Sequence, residues 1–356
     1  MIIHSRFKDY EVTIHNDLCF LDSICQSDNT EYVIDRKIFD IYNKFFEGIP
    51  EGRLFLVDST EENKVIDTAL KICEVMTDIP AKRNAKLVSV GGGIIQDITG
   101  LVANILYRGI AWTFVPTTLL ACCDSCIGGK TSLNYKSYKN LLGTFYPPDN
   151  IEICSQFYKT LTERDFQSGL GEVVKFNIMA GIDGLVNIEN HIDELLARDN
   201  ETLNYFTYSS LKFKKQFIEI DEFDHGERIK LNFAHTFGHA IETVTKYEIP
   251  HGTAVAIGMI MANYISVERG LLAEDTARRS EKVLLKVINI NLDLKSYPLE
   301  NFLAAIRKDK KQTSDSLTDV LMTNKEKDLK IIHDLSESEL SKALDYFCAV
   351  YKEKVQ

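Results

Sequence analysis

A short strand that runs through three consecutive glycines into a helix is the feature that most constrains the fold. The segment KLVSV leads into Gly91, Gly92 and Gly93, and IIQDITGLVANILYRG then has the pattern of a helix. Glycines at such a turn let the backbone approach a pyrophosphate closely, and the helix N-terminus adds N–H groups and a partial positive charge. Because the segment is not G-x-G-x-x-G, a tight, closely packed turn is the alternative. Asp35, which ends the run YVID, can bond a ribose hydroxyl or cap a helix.

The chain changes character near its middle, which indicates two domains. Over residues 1–148, short β-rich runs (YVID, RLFLVDS, KLVSVGGG, AWTFVPTT) alternate with helical patterns, as in a parallel sheet covered on both faces. The run TFYPPDN is the clearest break, and amphipathic stretches follow at 208–220, 231–247 and 253–268. At 356 residues, the chain also exceeds the size at which one core keeps growing. We therefore predict an α/β, Rossmann-like nucleotide-binding domain over 1–148 and a mostly α-helical domain over 149–356.

The bulk composition excludes several classes of protein. The net charge of −11 argues against non-specific nucleic-acid binding, although a pocket in an acidic protein can still be basic. No window approaches the ~18 uninterrupted apolar residues of a membrane span, and the start MIIHSRFKDYEV lacks the apolar core of a secretion signal. Eight scattered cysteines are then expected to be reduced thiols. We expect a cytoplasmic protein with neither a membrane nor a nucleic-acid partner.

The stretch ACCDSCIGGKTSLN, residues 121–134, carries a glycine-glycine-lysine flanked by cysteines. A P-loop needs a glycine six residues before the lysine, and Asp124 occupies that position relative to Lys130. Cys123 and Cys126 have Cys-x-x-Cys spacing, but no second pair or nearby histidine completes a zinc site, which favours ordinary buried cysteines. The interpretation left for Lys130 is a side chain that binds an anionic ligand.

Three of the eight histidines fall in one segment, LNFAHTFGHAIETVTKYEIPHG. His235 and His239 are four residues apart and share a face if the segment is helical, and His251 follows Pro250, where the chain can turn back toward them. Two imidazoles and one carboxylate would form a metal site with an open coordination position, as in catalytic zinc sites. Glu172 in GLGEVVKFN is the candidate carboxylate, with Lys175 one turn further along the same face. The alternative is a hydrogen-bonded or solvated histidine pair.

Taken together, these segments resemble 3-dehydroquinate synthases, of the sugar phosphate cyclase superfamily, from about residue 30 to residue 311. The blocks that carry the resemblance are VSVGGGIIQDITGLVAN, YRGIAWTFVPTTLLACCDSCIGGKTSLN, KNLLGTFYPP, GLGEVVKFN, KKQFIEIDEFDHGERIKLNFAHTFGHAIE, HGTAVAIGM and KDKK. The resemblance implies a homodimeric lyase of the shikimate pathway. Such an enzyme converts an anionic sugar phosphate, 3-deoxy-D-arabino-heptulosonate 7-phosphate, to 3-dehydroquinate and phosphate. It uses NAD catalytically and needs a divalent metal, zinc or cobalt.

Residue by residue, the resemblance implies four sets of site residues. Those that would hold the metal are Glu172, His235 and His251. Those that would bind NAD are Asp35, Glu61, Lys64, Gly91, Gly92, Gly93, Asp97, Thr117 and Thr118. Those with catalytic roles would be Lys130, Lys175, Lys214, Arg228, Asn232 and His239. Those that would bind substrate are Arg108, Asp124, Asn140, Lys310 and Lys311. Arg228 and Asn232, four apart before His235, are expected to share one helix face directed at the metal.

Three rival functions stay open at this level. Another sugar phosphate cyclase would act on a different sugar, and small departures such as Thr253 after His251-Gly252 and Tyr135-Lys136 after Asn134 suggest a divergent family member. A dehydrogenase resembling glycerol dehydrogenase would share the domain plan and metal site but would need fewer anion-binding side chains. A non-catalytic NAD-binding module is the third rival, and it would be favoured by a missing metal ligand.

Overall fold

The computed structural model describes residues 1–27, 29–79, 84–136, 138–291, 293–308, 317–325 and 328–355. The chain forms two compact units, an N-terminal unit, Met1–Leu161, and a C-terminal unit, Thr162–Gln356. The break therefore falls later than the one predicted after residue 148. The reason is that Asn150–Cys154 is a strand of the N-terminal sheet, paired in parallel with strands on both sides.

The N-terminal unit is built on a seven-stranded sheet and a separate hairpin. Its strands are β1 (Ile2–Ile3), β2 (Tyr10–His15), β3 (Thr30–Asp35), β4 (Leu54–Val57), β5 (Lys86–Gly91), β6 (Ala111–Pro116), β7 (Lys130–Tyr135), β8 (Tyr138–Phe145) and β9 (Asn150–Cys154). The sheet order is β1-β2-β9-β6-β5-β3-β4, and every pairing is parallel except β1 with β2. The β3 and β5 runs are buried almost throughout, as expected of parallel strands covered on both faces. The antiparallel hairpin is β7–β8.

In the described part of this unit, the α-helices are α1 (Phe20–Ile24), α2 (Arg36–Tyr42), α3 (Ile66–Thr77) and α4 (Gly93–Ile105). Helix α4 packs on β5, β6 and the hairpin and buries most of its length, including Ile95, Ile98 and Val102. The predicted α/β class of this half is confirmed.

The C-terminal unit is mostly helical, also as predicted. Its helices are α5 (Glu163–Met179), α6 (Ile182–Leu196), α7 (Asn200–Ile220), α8 (His235–Val244), α9 (His251–Glu268), α10 (Glu274–Val287), α11 (Leu299–Lys308) and α12 (Glu337–Val355). An antiparallel pair, β10 (Leu317–Met322) and β11 (Leu329–Leu335), completes the unit. None of the helices in the described ranges combines the length and the apolar character that crossing a membrane would take.

One predicted helix begins in the wrong place. The stretch 231–247 was expected to be continuous, but residues Glu227–Asn232 form a 3-10 helix and α8 begins only at His235. Between them Ala234 adopts a left-handed conformation with φ of 68°, which no α-helix accommodates. The predicted stretches 208–220 and 253–268 lie inside α7 and α9.

Candidate metal and nucleotide sites

The glycine turn of the N-terminal unit joins β5 to α4, as the sequence predicts. A Cβ atom on Gly91 would lie 2.5 Å from Ile95 Cγ1, so close packing alone requires glycine there. Gly93 is different, since a Cβ atom would meet nothing nearer than Ser125 Oγ at 3.8 Å. Gly92, the N-cap of α4, provides no side-chain hydrogen bond to the first N–H groups. Close packing thus explains Gly91, whereas the N-cap residue of α4 offers no side-chain acceptor to the first N–H groups. A helix N-terminus of this kind can bind an anion.

Asp35 lies at the carboxyl end of β3 and caps the helix that follows. Its Oδ1 accepts a hydrogen bond of 3.0 Å from the Lys37 N–H, the first-turn contact of an N-cap residue. The helix-cap alternative is therefore observed, and a contact from Asp35 to a ribose stays a prediction.

Several residues assigned separately to NAD and to substrate form one polar network. Lys64 is ion-paired with Asp97, and its Nζ donates to Asn140 Oδ1 at 2.6 Å. Asp97 also accepts hydrogen bonds from the Ser132 N–H at 3.0 Å and its hydroxyl at 3.2 Å. Burial raises the pKa of Asp97, and the Lys64 ammonium opposes that rise.

Glu61, which is also assigned to NAD, belongs to the same network. It accepts a hydrogen bond of 2.7 Å from Asn134 Nδ2, and Asn134 Oδ1 accepts one from the Asn140 N–H. Asn140, assigned to substrate, is thus connected to the NAD-assigned set. Ser132 and Asn134, which hold this network together, were not predicted as site residues, because neither is charged and only the hairpin brings them to it.

The segment that contains Lys130, residues 121–134, begins with a single π-helical turn, Ala121–Ser125. Such turns often occur at functional sites. Asp124 lies on this turn and is half-buried, and Lys130 is exposed at the first position of β7. Cys123 and Cys126 are buried free thiols that donate to the main-chain carbonyls of Leu120 and Cys122. These contacts support the interpretation of the cysteines as packing residues.

The other predicted site residues of the N-terminal unit, Thr117, Thr118 and Arg108, lie in three different environments. Thr117 is 1% exposed, and its N–H donates to Gly91 O at 2.9 Å. Thr118 accepts a hydrogen bond from the Ala121 N–H at 3.2 Å through its hydroxyl. Arg108 is exposed at the turn after α4, where its φ is 67°.

In the C-terminal unit, the three predicted metal ligands come together from three helices. Glu172 is fully buried on α5, and His235 and His251 are the first residues of α8 and α9. The Nε2 atoms of His235 and His251 lie 3.5 and 3.4 Å from Glu172 Oε1. One donor atom from each residue lies within 4.8 Å of the others, so the set can hold one metal ion.

Glycines at the helix crossings make this convergence possible. A Cβ atom on Gly171, next to Glu172, would lie 2.1 Å from Gly252 O, and one on Gly252 would lie 2.2 Å from Ser168 O. A Cβ atom on Gly258 would lie 2.4 Å from Ala234 O, where α9 passes the start of α8. Since the backbones are in direct contact at these points, the ligand positions are set by main chain rather than by side-chain packing. The sequence signal was the glycine beside two of the three ligands, Glu172 in GLGE and His251 in HGT.

A carboxylate that sequence reasoning missed orients one of the ligands. Glu242, two turns along α8 from His235, lies with Oε2 3.2 Å from His251 Nδ1. Burial alone would lower the pKa of His251, but the carboxylates of Glu172 and Glu242 raise it to about 10. His235 Nδ1 is similarly placed to donate to Phe233 O at 3.1 Å. Each ligand imidazole therefore has a partner for Nδ1 while Nε2 points to Glu172, the usual arrangement around a metal.

His239 and Lys175 border the same cluster. His239 belongs to a second group with ligand spacing, together with Glu242 and His251, and its ring centroid lies 5.3 Å from that of His235. Lys175, only 2% exposed, contacts Glu172 Oε2 at 2.6 Å and donates to Leu231 O at 3.0 Å. The predicted one-turn spacing of Glu172 and Lys175 on one face is confirmed.

The predicted placement of Arg228 and Asn232 on one helix face is wrong. Both lie on the 3-10 helix, where residues three apart share a face, not four. Arg228 is 4% exposed, and its Nη1 donates to Glu222 O in the preceding loop. Lys214 is also buried, on α7. Lys310 and Lys311 lie outside the described residues.

Comparison with known proteins assigns the chain to a family. The family model for the N-terminal part of 3-dehydroquinate synthase matches residues 54–168, and the model for the C-terminal part matches residues 169–312. The chain belongs to the 3-dehydroquinate synthase family. It is 35% identical over 350 residues to a 3-dehydroquinate synthase of Clostridium tetani, covering 96% of this chain and 89% of that protein.

Two solved structures of sugar phosphate cyclases share the fold. A 2-deoxy-scyllo-inosose synthase bound to carbaglucose-6-phosphate, NAD+ and Co2+ matches with a TM-score of 0.83 at 23% identity, covering 97% of this chain and 98% of that one. A 2-epi-5-epi-valiolone synthase from Streptomyces hygroscopicus with NAD+ and Zn2+ bound matches with a TM-score of 0.81 at 23% identity, covering 96% and 97%. At this identity the two structures establish the common fold.

Proposed function

We propose that this member of the family is a 3-dehydroquinate synthase. It would convert 3-deoxy-D-arabino-heptulosonate 7-phosphate to 3-dehydroquinate and phosphate, with NAD bound by the N-terminal unit and a divalent metal by the C-terminal unit. The observation that carries the proposal is the convergence of Glu172, His235 and His251, the three residues that the family resemblance assigns to the metal. When bound, NAD would supply a reversible oxidation of the substrate, and the metal would polarise one of its hydroxyl groups.

The ligand set fits a catalytic metal. Two imidazoles and one carboxylate form the three-ligand set of catalytic zinc sites, which leaves a position for substrate oxygen. Glu242 and Phe233 O hold the two rings in the tautomer that exposes Nε2. Lys175 holds the Glu172 carboxylate in place, because its Nζ lies 2.6 Å from Glu172 Oε2 and both side chains are almost completely buried. Zinc or cobalt would suit this set.

The N-terminal residues fit a dinucleotide in two ways. The N-terminus of α4, with Gly92 and Gly93, suits the pyrophosphate, because the turn offers backbone N–H groups without a side-chain cap. The network around Lys64 and Asp97, with Glu61, presents polar groups that are already oriented by one another. We assign Asp35, Gly91, Thr117 and Thr118 to the same role from their family positions.

Recognition of the substrate requires cations, because the molecule carries both a carboxylate and a phosphate. Lys214 and Arg228 are buried cations in the C-terminal unit, 6% and 4% exposed, and a buried guanidinium is well suited to bind an anion through two hydrogen bonds. Further roles in binding or proton transfer are proposed from family positions for Arg108, Asp124, Lys130, Asn140, Lys175, Asn232, His239, Lys310 and Lys311. We also propose a homodimer, which a light-scattering measurement of mass would test.

The deciding experiment measures phosphate release and NADH absorbance in the same reaction with the heptulosonate phosphate. The proposal expects metal-dependent phosphate release without accumulation of NADH. Stoichiometric NADH production would instead indicate a dehydrogenase. The same assay with sedoheptulose 7-phosphate and glucose 6-phosphate tests the substrate, since faster turnover of a sugar that lacks the carboxylate would indicate a different cyclase.

A further inference from the structure

The turn that leads into Lys130 is built from two consecutive glycines in left-handed conformations. Gly128 has a φ of 99° and Gly129 a φ of 65°, angles that glycine adopts easily and other residues adopt rarely. Glycine also loses more conformational freedom on folding than any other residue, so such a turn keeps one shape only where its neighbours hold it. The direction in which Lys130 leaves the turn therefore depends on the contacts of the two glycines.

The second glycine is held by the segment that follows β8. Gly129 O accepts a hydrogen bond of 2.7 Å from the Tyr146 N–H. A Cβ atom on Gly129 would lie 3.2 Å from Pro147 Cδ, so the two stretches of chain are closely packed. Lys130 itself begins β7, opposite Phe145 in the register of the hairpin. These contacts fix the turn on its carboxyl side.

The first glycine is held by a side chain from a strand far away in the sequence. Gly128 is buried, and its N–H donates a hydrogen bond of 2.9 Å to the hydroxyl of Tyr10, on β2. Tyr10 is 3% exposed, and a phenylalanine could fill the same space, so packing does not require the hydroxyl. Removing the hydroxyl would take this acceptor from a buried N–H, a loss that costs more than the same loss at the surface.

We propose that Tyr10 is a positioning residue for Lys130. Its hydroxyl fixes the Gly128 peptide and, through the two-glycine turn, the position from which the Lys130 ammonium reaches an anion. All three residues lie in the N-terminal unit, so the contact does not depend on how the two units are arranged. The inference rests on the proposed role of Lys130 in binding the substrate, and it adds a residue that acts through Lys130 rather than on the substrate itself.

The test is a double-mutant cycle measured as kcat/KM for the heptulosonate phosphate, with Tyr10→Phe and Lys130→Ala alone and combined. Tyr10→Phe should lower kcat/KM by about tenfold, the factor that corresponds to one hydrogen bond. In the Lys130→Ala background the same change should lower it by less than about twofold, because the ammonium that Tyr10 positions is absent. An equal loss in both backgrounds would show a purely structural role and would overturn the proposal.

Tyr32→Phe is the matched control. Tyr32 is also buried in this sheet, on β3, and its hydroxyl also bonds to main chain, donating to Ile24 O at 2.8 Å. The control thus removes a comparable buried hydrogen bond that has no connection to the two-glycine turn. It should leave kcat/KM unchanged within about twofold, and a reduction equal to that of Tyr10→Phe would overturn the proposal.

Isothermal titration of the purified full chain with inorganic phosphate separates this inference from the proposed function, because it needs no turnover. Lys130→Ala and Tyr10→Phe should each weaken phosphate binding by about tenfold or more, whereas Tyr32→Phe should not. If the parent binds phosphate in this way but does not turn over the heptulosonate phosphate, the proposed function fails and the positioning role stands. No saturable phosphate binding, or an affinity that Tyr10→Phe leaves unchanged, would overturn the role of Tyr10.

Discussion

Replacement of Glu242 tests the metal site without touching a proposed ligand. Its carboxylate is 13% exposed and lies 3.2 Å from His251 Nδ1, and it fixes the ring so that Nε2 faces Glu172 at 3.4 Å. Losing a partner of this kind typically weakens metal binding by about 10–100-fold, or about 1.4–2.7 kcal/mol. Glu242→Gln keeps an acceptor oxygen at the same distance and should fall near the lower end, whereas Glu242→Ala removes the acceptor and should fall near the upper end.

The assay is a competitive titration of metal-free protein with Zn2+ against a chromogenic chelator, so it does not depend on turnover. Glu248→Gln is the matched control, because that glutamate follows the same helix but is exposed. We expect the affinity order parent, Glu242→Gln, Glu242→Ala, with the control equal to the parent. If both Glu242 variants bind zinc as tightly as the parent, the carboxylate does not orient His251, and the reasoning from this geometry fails.

Four further outcomes are expected. Gly252→Ala should weaken zinc binding in the same titration and cost about 1–3 kcal/mol of unfolding free energy, since its Cβ would lie 2.2 Å from a carbonyl oxygen. Arg228→Ala should lower kcat/KM for the heptulosonate phosphate, with a loss of about 2–5 kcal/mol of transition-state stabilisation. An unchanged kcat/KM would contradict the role proposed for Arg228. Burial raises the pKa of Glu31 to about 7. Its ionisation therefore destabilises the fold as pH rises above about 4, and Glu31→Gln should raise Tm near pH 8 but not near pH 4. Hydrogen bonding to Arg269 holds the pKa of Glu339 at about 2. Glu339→Gln should thus lower stability in urea near neutral pH, and the deficit should vanish as pH falls from about 4 to 2.

The full metal-ligand set rested on the family resemblance, since spacing alone left a hydrogen-bonded or solvated histidine pair as the alternative. Local sequence could predict the spacing within the set, because His235 and His239 share a helix, Pro250 ends the loop before His251, and Glu172 precedes Lys175 by one turn. The α/β and helical halves were predictable for the same reason, from the period of the apolar residues.

The wrong or missing parts depend on contacts distant in sequence or on single backbone angles. Nothing in the LNFAHT segment signals that Ala234 takes a positive φ, so the helix through Arg228 and Asn232 was predicted where a 3-10 helix forms. Glu242 could be recognised only when α9 was placed beside α8. The boundary moved from 148 to 161 because β9 adds to a sheet whose other strands come from much earlier in the chain.

Main-chain contact between the ligand-bearing helices also bears on how the metal can be handled. Where α5 and α9 touch through Gly171 and Gly252, the main chain sets the ligand positions, so no side chain has to rearrange for the donor atoms to meet. Metal uptake then need not be coupled to folding, unlike in small zinc domains that collapse only around their ion. Zinc could be removed by dialysis and replaced by cobalt in the folded chain. The zinc site is colourless, whereas the visible absorption spectrum of the cobalt site would indicate its coordination.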